Sequence, residues 1–179
     1  MEEQLQEKAV LVGLNITTNV KKIDDIDINE SMAELKELVK AAGAEVLASV
    51  IQNKPARDAA YFIGKGKVEE IRDYCHMLGA TMIVFNDELS GAHMRNIEDV
   101  TGLKVIDRTA LILDIFAQRA LSKEGKLQVE LAQLKYRLPR LYGMGGQMSR
   151  TGAGIGTRGP GEQKLEVDKR HILNRAADI

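Results

Sequence analysis

The stretch from Gly143 to Gly161 is the part of the sequence whose residue types point most directly to chemistry. It reads GMGGQMSRTGAGIGTRGPG and holds eight of the chain's 16 glycines, two arginines and no acidic residue. Glycine lets a backbone approach a partner closely, and the planar guanidinium of arginine pairs with phosphate through two parallel hydrogen bonds. Arg150 and Arg158 in this loop therefore predict contact with a phosphate-bearing partner.

The same stretch contains parts of two nucleotide-binding motifs, but the residues around them do not match what either motif requires. Gly154, Gly156 and Gly159 satisfy G-x-G-x-x-G, but no predicted strand precedes them, as a dinucleotide site requires. Gly156 and Gly161 have the glycine spacing of a phosphate-binding loop, but Glu162 follows where that loop needs its lysine. The loop is therefore not predicted to bind a nucleotide.

A second candidate is the segment from Tyr61 to Lys67, which reads YFIGKGK and leads into a predicted helix. The free N–H groups at the start of a helix favour an anion. The segment lacks the spacing of a phosphate-binding loop. Two interpretations stay open: a nucleotide or phosphate site, or a glycine turn that sets the direction of the helix.

Other residues of the first 121 positions predict structural roles. Cys75 adjoins His76, but no second cysteine lies at metal-ligand spacing, so we expect neither a metal site nor an intrachain disulfide. Cys75 lies on the apolar side of its helix and is predicted to be a small buried residue. Asp87 and Glu88 follow a predicted strand, and we expect them to cap the next helix.

The net charge of −1 hides a division between the two parts of the chain. Residues 1–132 carry 16 basic and 22 acidic side chains, a net of −6, whereas residues 133–175 carry nine basic and three acidic ones, a net of +6. Such asymmetry indicates either that the second part meets a polyanion or that it forms a solvated basic surface.

The elements that must position these residues begin with an α/β subdomain over residues 1–121. Apolar runs alternate with amphipathic segments, which predicts a four-stranded parallel sheet flanked by helices, with the strand order 2-1-3-4. The first helix is expected to start near Ser31, with Glu34 completing a capping box. The fourth helix is expected over Arg108 to Leu121. Its predicted apolar face consists of Leu111, Ile112, Ile115 and Phe116.

Residues 122–179 predict a second subdomain, an antiparallel two-helix coiled-coil hairpin with residues 143–161 as its tip loop. Leucines recur at alternating spacings of four and three in the first arm, residues 122–141, which is the pattern of a coiled-coil seam. They are Leu127, Leu131, Leu134, Leu138 and Leu141. Pro139 is expected to kink or stop this arm. The return arm, residues 162–179, runs to the last residue without a cap, which suggests that the chain stops inside a helix.

Composition excludes several classes of protein. No run of about 18 apolar residues is present, so we expect no membrane span. The acidic beginning MEEQLQEK lacks the order of a signal peptide. A single cysteine suits the reducing cytoplasm, and with seven aromatic residues and no tryptophan, a stacking platform for single-stranded nucleic acid is not expected.

Three motifs together resemble one family. GIGTRGPGEQKLEVDKRHI, preceded by LAQLKYRLPRL and further back by YFIGKGKVEEI, is similar to the N-terminal region of HflX, a family of ribosome-associated GTPases. The resemblance runs from about Ala9 to Ile179. In that family a G domain with a Walker-A lysine follows, and its motifs are not in this sequence. GTP and Mg²⁺ are therefore expected in a G domain and not in this chain.

The resemblance implies binding to the large ribosomal subunit and its rRNA, with the tip loop directed at the peptidyl-transferase centre, in the service of ribosome splitting. It implies an RNA-contacting set that consists of Arg150, Gly154, Gly156, Arg158, Gly159, Gly161, Lys164, Lys169 and Arg170. Two alternatives stay open. ATP could bind in the α/β body, at Arg57, Tyr61, Gly64, Lys65, Gly66 and Lys67. The chain could also be a regulatory module that packs on its own G domain.

Overall fold

The computed structural model describes residues 6–18 and 27–142, and in this part of the chain strands and helices alternate. The strands are β1 (Lys8–Ile16), β2 (Glu45–Lys54), β3 (Met82–Phe85) and β4 (Lys104–Asp107). The helices are α1 (Ile28–Ala41), α2 (Lys65–Leu78), α3 (Gly91–Thr101), α4 (Arg108–Arg119) and α5 (Lys123–Tyr142). Within these ranges no helix is both long enough and apolar enough to cross a membrane.

The four strands form one parallel sheet in the order β2-β1-β3-β4, which confirms the predicted order. β1 lies inside the sheet, and every residue from Ala9 to Val12 is fully buried. This explains why β1 is a continuous apolar run instead of an alternating one. The chain moves to one side of β1 to form β2 and to the other side to form β3 and β4.

Each face of the sheet has its own core. Val10, Val12 and Phe85 point to the face that α2 and α3 cover, with Ile71 and Met94 among the helix residues there. Leu11 and Val84 point to the opposite face, which α1 and α4 cover. Cys75 belongs to the first core and is fully buried, as predicted.

The start of α1 differs from the prediction. The helix begins at Ile28, and the carboxylate of Asp27 caps it by accepting a hydrogen bond of 3.0 Å from the N–H of Asn29. The predicted start near Ser31 is therefore wrong. The hydroxyl of Ser31 instead accepts a hydrogen bond of 2.8 Å from the side chain of Asn86, across the sheet edge.

The cap of α3 also differs. Ser90 caps this helix in a capping box with His93. Asp87 and Glu88, which we expected to cap it, make other contacts, because Ser90 is the residue directly before the first turn. The helix ends at Thr101, and Gly102 follows it with a positive φ.

The predicted apolar face of α4 is correct at Leu111 and Ile115, which are buried, but wrong at Phe116. Phe116 is 55% exposed, because one residue turns a helix by 100° and carries this side chain away from the core.

α5 packs against α4 and α3 of the body. Of the predicted seam, Leu134 is buried, with 5% of its surface exposed. The helix continues through Pro139 to Tyr142. Of the two effects predicted for this proline, the stop is therefore wrong, and the kink stays a prediction. The partner arm and the tip loop of the predicted hairpin lie outside the described residues.

Candidate functional site

The carboxyl ends of the strands meet at one edge of the sheet, where polar residues follow β3 and β4. In open parallel sheets, ligands bind outside this edge, at the point where the strand order reverses. Here that point lies between β1 and β3. Asn86 and Asp87 directly follow β3, while Asp107 ends β4 and Arg108 begins α4. We call this region the carboxyl-edge crevice.

A hydrogen-bonded network joins α1, β3 and α4 in the crevice. Asn86 donates to the hydroxyl of Ser31, and Asn86 Oδ1 accepts a hydrogen bond of 2.8 Å from Arg108 Nη1. Arg108 also forms an ion pair with Glu34 on α1. The guanidinium is held on several sides, so its position is set by the fold before any ligand arrives.

Asp87 is the unusual residue of the crevice. The N–H of Leu14 donates to its carboxylate, but Oδ2 is buried and has no hydrogen-bond partner among the described residues. Burial raises the pKa of Asp87, and the Leu14 N–H and the charges of Arg57 and Arg108 only partly oppose that change. Because buried polar atoms are normally paired, this oxygen is left unsatisfied by the fold, and its surroundings would have to open before a ligand could donate a hydrogen bond to it.

The turn between β2 and α2 carries the predicted nucleotide-binding residues. Asp58 organises it by accepting hydrogen bonds from the N–H groups of Ala60, at 2.9 Å, and Tyr61, at 2.8 Å. The same two bonds lower the pKa of Asp58. Phe62 has a φ of +66°, which is uncommon for a residue with a side chain. The guanidinium of Arg57 lies 5.9 Å from the centre of the Phe62 ring.

The start of α2 is only partly open to an anion. Gly64 N–H donates to Gln52 Oε1 at 2.9 Å, and Lys67 pairs with Glu70 at 3.3 Å. Lys65 and Gly66 are exposed. The turn does not fit a GTP–Mg²⁺ site, because the buried Val68 follows Gly66–Lys67 where a phosphate-binding loop needs Ser or Thr.

On the other side of the crevice, Asp107 links the body to α5. Its carboxylate is fully buried and accepts hydrogen bonds from the N–H groups of Leu89, at 2.9 Å, and Ala110, at 3.0 Å, and from the hydroxyl of Tyr136. Burial, together with the Asp107 carboxylate, raises the pKa of Tyr136. The hydroxyl therefore stays protonated and remains a donor to Asp107 at all ordinary pH values.

Arg140, one helical turn after Tyr136, completes this attachment. Its guanidinium donates to the carbonyl of Leu89 at 3.0 Å, pairs with Glu88 at 3.0 Å and stacks 3.5 Å from the centre of the Tyr136 ring. We call Asp107, Tyr136 and Arg140 with their partners Leu89 and Glu88 the α5 joint. Sequence reasoning missed it. Two local signals were present: an aspartate before a helix start, and Tyr136 and Arg140 four residues apart.

The other predicted sites have mixed outcomes. The RNA-contacting set, Arg150 to Arg170, lies outside the described residues. Cys75 is buried, and burial raises its pKa to about 11, which leaves the thiol inert. Within residues 6–18 and 27–142, no group of His, Cys, Asp or Glu is arranged to hold a metal ion.

The fold and its polar edge define a doubly wound α/β domain with a helical extension attached at the carboxyl ends of the strands. Two family models match in succession: GTP-binding GTPase N-terminal at residues 29–117, and GTP-binding GTPase Middle Region at residues 119–179. The chain belongs to this GTP-binding GTPase family, in the branch that includes HflX.

The relatives have high identity over nearly all of this chain. GTPase HflX of Caldanaerobacter subterraneus is 55% identical over 174 residues, which cover 97% of this chain and 39% of the relative. GTPase HflX of Escherichia coli is 44% identical over 173 residues, with 97% and 39% covered. The chain therefore spans about 40% of the length of these relatives.

A solved structure shares the fold. The crystal structure of a GTP-binding protein from the archaeon Sulfolobus solfataricus, in complex with GDP, matches with a TM-score of 0.62 and 23% identity. The match covers 97% of this chain and 44% of that protein.

Proposed function

We propose that this chain is the ribosome-binding part of an HflX-type GTPase that acts in the cytoplasm. In this proposal residues 143–161 reach into the large ribosomal subunit toward the peptidyl-transferase centre, and Arg150 and Arg158 pair with rRNA phosphates. Lys164, Lys169 and Arg170 add affinity that depends on salt and not on RNA sequence. Because the chain spans only part of its relatives, ribosome splitting and GTP hydrolysis by a longer protein are part of the proposal.

The single observation that carries this proposal is the fixed attachment of α5 to the body. Leu134 is buried, and Tyr136 and Arg140 are held by hydrogen bonds to the connections after β3 and β4. α5 ends at Tyr142, one residue before the glycine-rich stretch. A helix fixed in this way is suited to presenting the glycine-rich, basic sequence that follows it to a narrow RNA cavity.

Charge supports the same assignment. Residues 1–132, which include the α/β body, have a net charge of −6 and are unsuited to binding a polyanion. Residues 133–175 have a net charge of +6. Association with RNA phosphates releases bound cations, so the affinity falls steeply with salt. The proposed contact therefore has a measurable electrostatic signature.

The experiment is sedimentation of this chain with purified large subunits across a salt series. The variant Arg150→Ala/Arg158→Ala should bind at least tenfold more weakly, because charge-assisted hydrogen bonds contribute about 1.5–3 kcal/mol each. The slope of log affinity against log salt should become shallower by about 0.7–0.9 for each phosphate contact that is lost.

The matched control is Arg72→Ala/Arg119→Ala, which removes the same charge from α2 and α4 of the body. We expect this variant to keep the affinity and the slope of the wild type. If the Arg150/Arg158 variant also keeps both, while circular dichroism shows a native fold, the proposed RNA contact is wrong.

A second candidate function, binding of ATP by the body, is favoured by the unpaired Oδ2 of Asp87 at the switch point of the sheet. A carboxylate at such an edge is suited to accept a hydrogen bond from a ribose hydroxyl. Arg57 and the exposed Lys65 supply positive charge for the phosphates. The charge of Arg57 acts on the Asp87 carboxylate, and Lys65 is the first residue of α2, after the turn that follows β2.

Calorimetric titration with ATP tests this candidate. Arg57→Ala/Lys65→Ala should weaken binding, while Lys36→Ala on the outer side of α1 should not. Tripolyphosphate, which has no ribose, should bind more weakly than ATP. Equal binding of the two ligands contradicts a role for Asp87, and no heat at millimolar ATP contradicts the site.

A further inference from the structure

The α5 joint holds α5 on the body through polar contacts, although apolar packing alone would be enough to keep a helix attached. Asp107 is fully buried, and a buried carboxylate is costly unless hydrogen bonds satisfy it. Here two backbone N–H groups and a phenol do so. Hydrogen bonds are directional, whereas apolar contacts tolerate sliding, so the joint holds α5 at a defined angle and register.

The joint also lies at the end of α5 where a defined angle matters. α5 has 20 residues, which at 1.5 Å per residue makes it about 30 Å long. A rotation of ~10° about its first turn would move its last turn by ~5 Å. Tyr136 and Arg140 occupy the last two turns, where a contact limits such a swing most effectively.

The backbone at the joint is close-packed as well. A methyl group added at Gly91, the first residue of α3, would lie 3.1 Å from the carbonyl oxygen and 3.3 Å from the Cα of Arg140. The two helices therefore touch through their backbones at this point. Little room remains for α5 to take a second position against α3 while the joint is made.

We propose that the α5 joint is a positioning device: it sets the direction in which α5 delivers the chain that follows Tyr142, and Tyr136 and Arg140 are positioning residues for RNA binding. The second half of this inference rests on the proposed ribosome binding. The joint itself touches no RNA, so its contribution is to raise the fraction of molecules whose loop is correctly directed.

This role has its own signature. If a variant lowers only the fraction of competent molecules, the apparent affinity falls by that fraction. The number of phosphate contacts in the complex stays the same, so the salt slope does not change. Loss of an RNA-contacting arginine changes both quantities.

The test uses Tyr136→Phe, which removes one hydroxyl, and Arg140→Lys, which keeps the charge but loses the fork to Leu89 and Glu88. Tyr74→Phe on α2 is the matched control. Spin labels are attached at Met77→Cys on α2 and Lys135→Cys on α5, both at exposed positions. The buried Cys75 is replaced by Ala in every sample. Pulsed electron paramagnetic resonance then measures the distribution of distances between the two spin labels, one on α2 and one on α5, in the absence of ribosomes.

We expect a single narrow distribution in the wild type and in Tyr74→Phe, and a broader or shifted one in Tyr136→Phe and Arg140→Lys. Sedimentation with large subunits should show lower affinity for these two variants, by the factor by which the population at the wild-type distance falls, with the salt slope unchanged. Circular dichroism and thermal melts establish that each variant is folded.

Unchanged distances in both joint variants would overturn the inference, whatever the ribosome result. Changed distances with wild-type affinity would overturn the link to RNA binding. If the wild-type chain itself does not bind large subunits, the proposed function fails. The distance measurement then decides by itself whether the joint positions α5.

Discussion

At the scale of single residues, Asp87 is the clearest case of a group whose surroundings oppose its charge. Burial raises its pKa above the ordinary value of 3.8. The folded state therefore binds this proton more tightly than the unfolded state. The stability that this adds is present below pH 3.8 and is lost as the pH rises through the folded-state pKa.

Asp87→Asn should therefore be as stable as the wild type at pH 3 and more stable at pH 7, because asparagine can still accept from Leu14 N–H without carrying a charge. Urea unfolding at a series of pH values measures the difference. Asp73→Asn, at a side chain that is 74% exposed, is the control and should change stability by less than about 0.5 kcal/mol at either pH. A variant less stable than the wild type at pH 7 would contradict this account of Asp87.

The residue scale also shows where sequence reasoning stops. Ser90 was predictable as the α3 boundary because it directly precedes an amphipathic run. Asp27 and Ser31 both suit a helix N-cap, and contacts from Asn86 and Arg108, distant in sequence, decide between them. Asp107 and Tyr136 are 29 residues apart, and no local pattern indicates that they meet.

At the scale of elements, Leu134 anchors α5. Leu134→Ala should destabilise the chain by about 2–5 kcal/mol, since the side chain is 5% exposed and its removal leaves a cavity. Leu121→Ala makes the same change in the α4–α5 connection, where the side chain is 92% exposed, and should change the free energy of unfolding by less than about 0.5 kcal/mol. Equal effects of the two substitutions would contradict the packing of α5 on the body.

The contact between α3 and α5 gives a second prediction, with a control in another helix. Gly66→Ala, in the first turn of α2, meets nothing within 4 Å and should stabilise by up to about 1 kcal/mol, because alanine favours helix. Gly91→Ala, also in a first turn, meets the backbone of Arg140 and should lose that gain to overpacking of about 1–3 kcal/mol. Thermal unfolding of the two variants checks the sign. Similar stabilisation by both would show that α5 does not lie against α3.

The elements differ in how far the sequence predicts them. The parallel sheet is predictable, because β1 is apolar on both faces and helices alternate with the strands. α5 is predictable in extent but not in placement. A leucine seam indicates that a helix needs an apolar partner, not which one, and Leu134 is buried in a helix that packs on α3 and α4.

At the scale of the whole molecule, the described residues form an α/β body with one helix fixed at the carboxyl edge of its sheet. The connections after β3 and β4 serve two regions at once. Asn86 and Arg108 face the crevice, while Leu89 and Asp107 hold α5. Arg108 is adjacent to Asp107, and Asn86 is three residues before Leu89, so a ligand in the crevice would lie close in sequence to the contacts that direct α5.

Although its relatives are GTPases, this chain should not hydrolyse GTP, because neither glycine-rich segment carries the lysine and Ser or Thr that hold phosphates and Mg²⁺. At the start of α2, Lys67 is paired with Glu70 and Val68 is buried. Phosphate release from GTP and Mg²⁺ should therefore equal the buffer blank. Multiple turnover that disappears in Lys65→Ala/Lys67→Ala, with the fold intact, would contradict this. If turnover persists in this variant, the residues at the start of α2 do not carry it. If that turnover also co-purifies with the folded protein, residues elsewhere in the chain carry it.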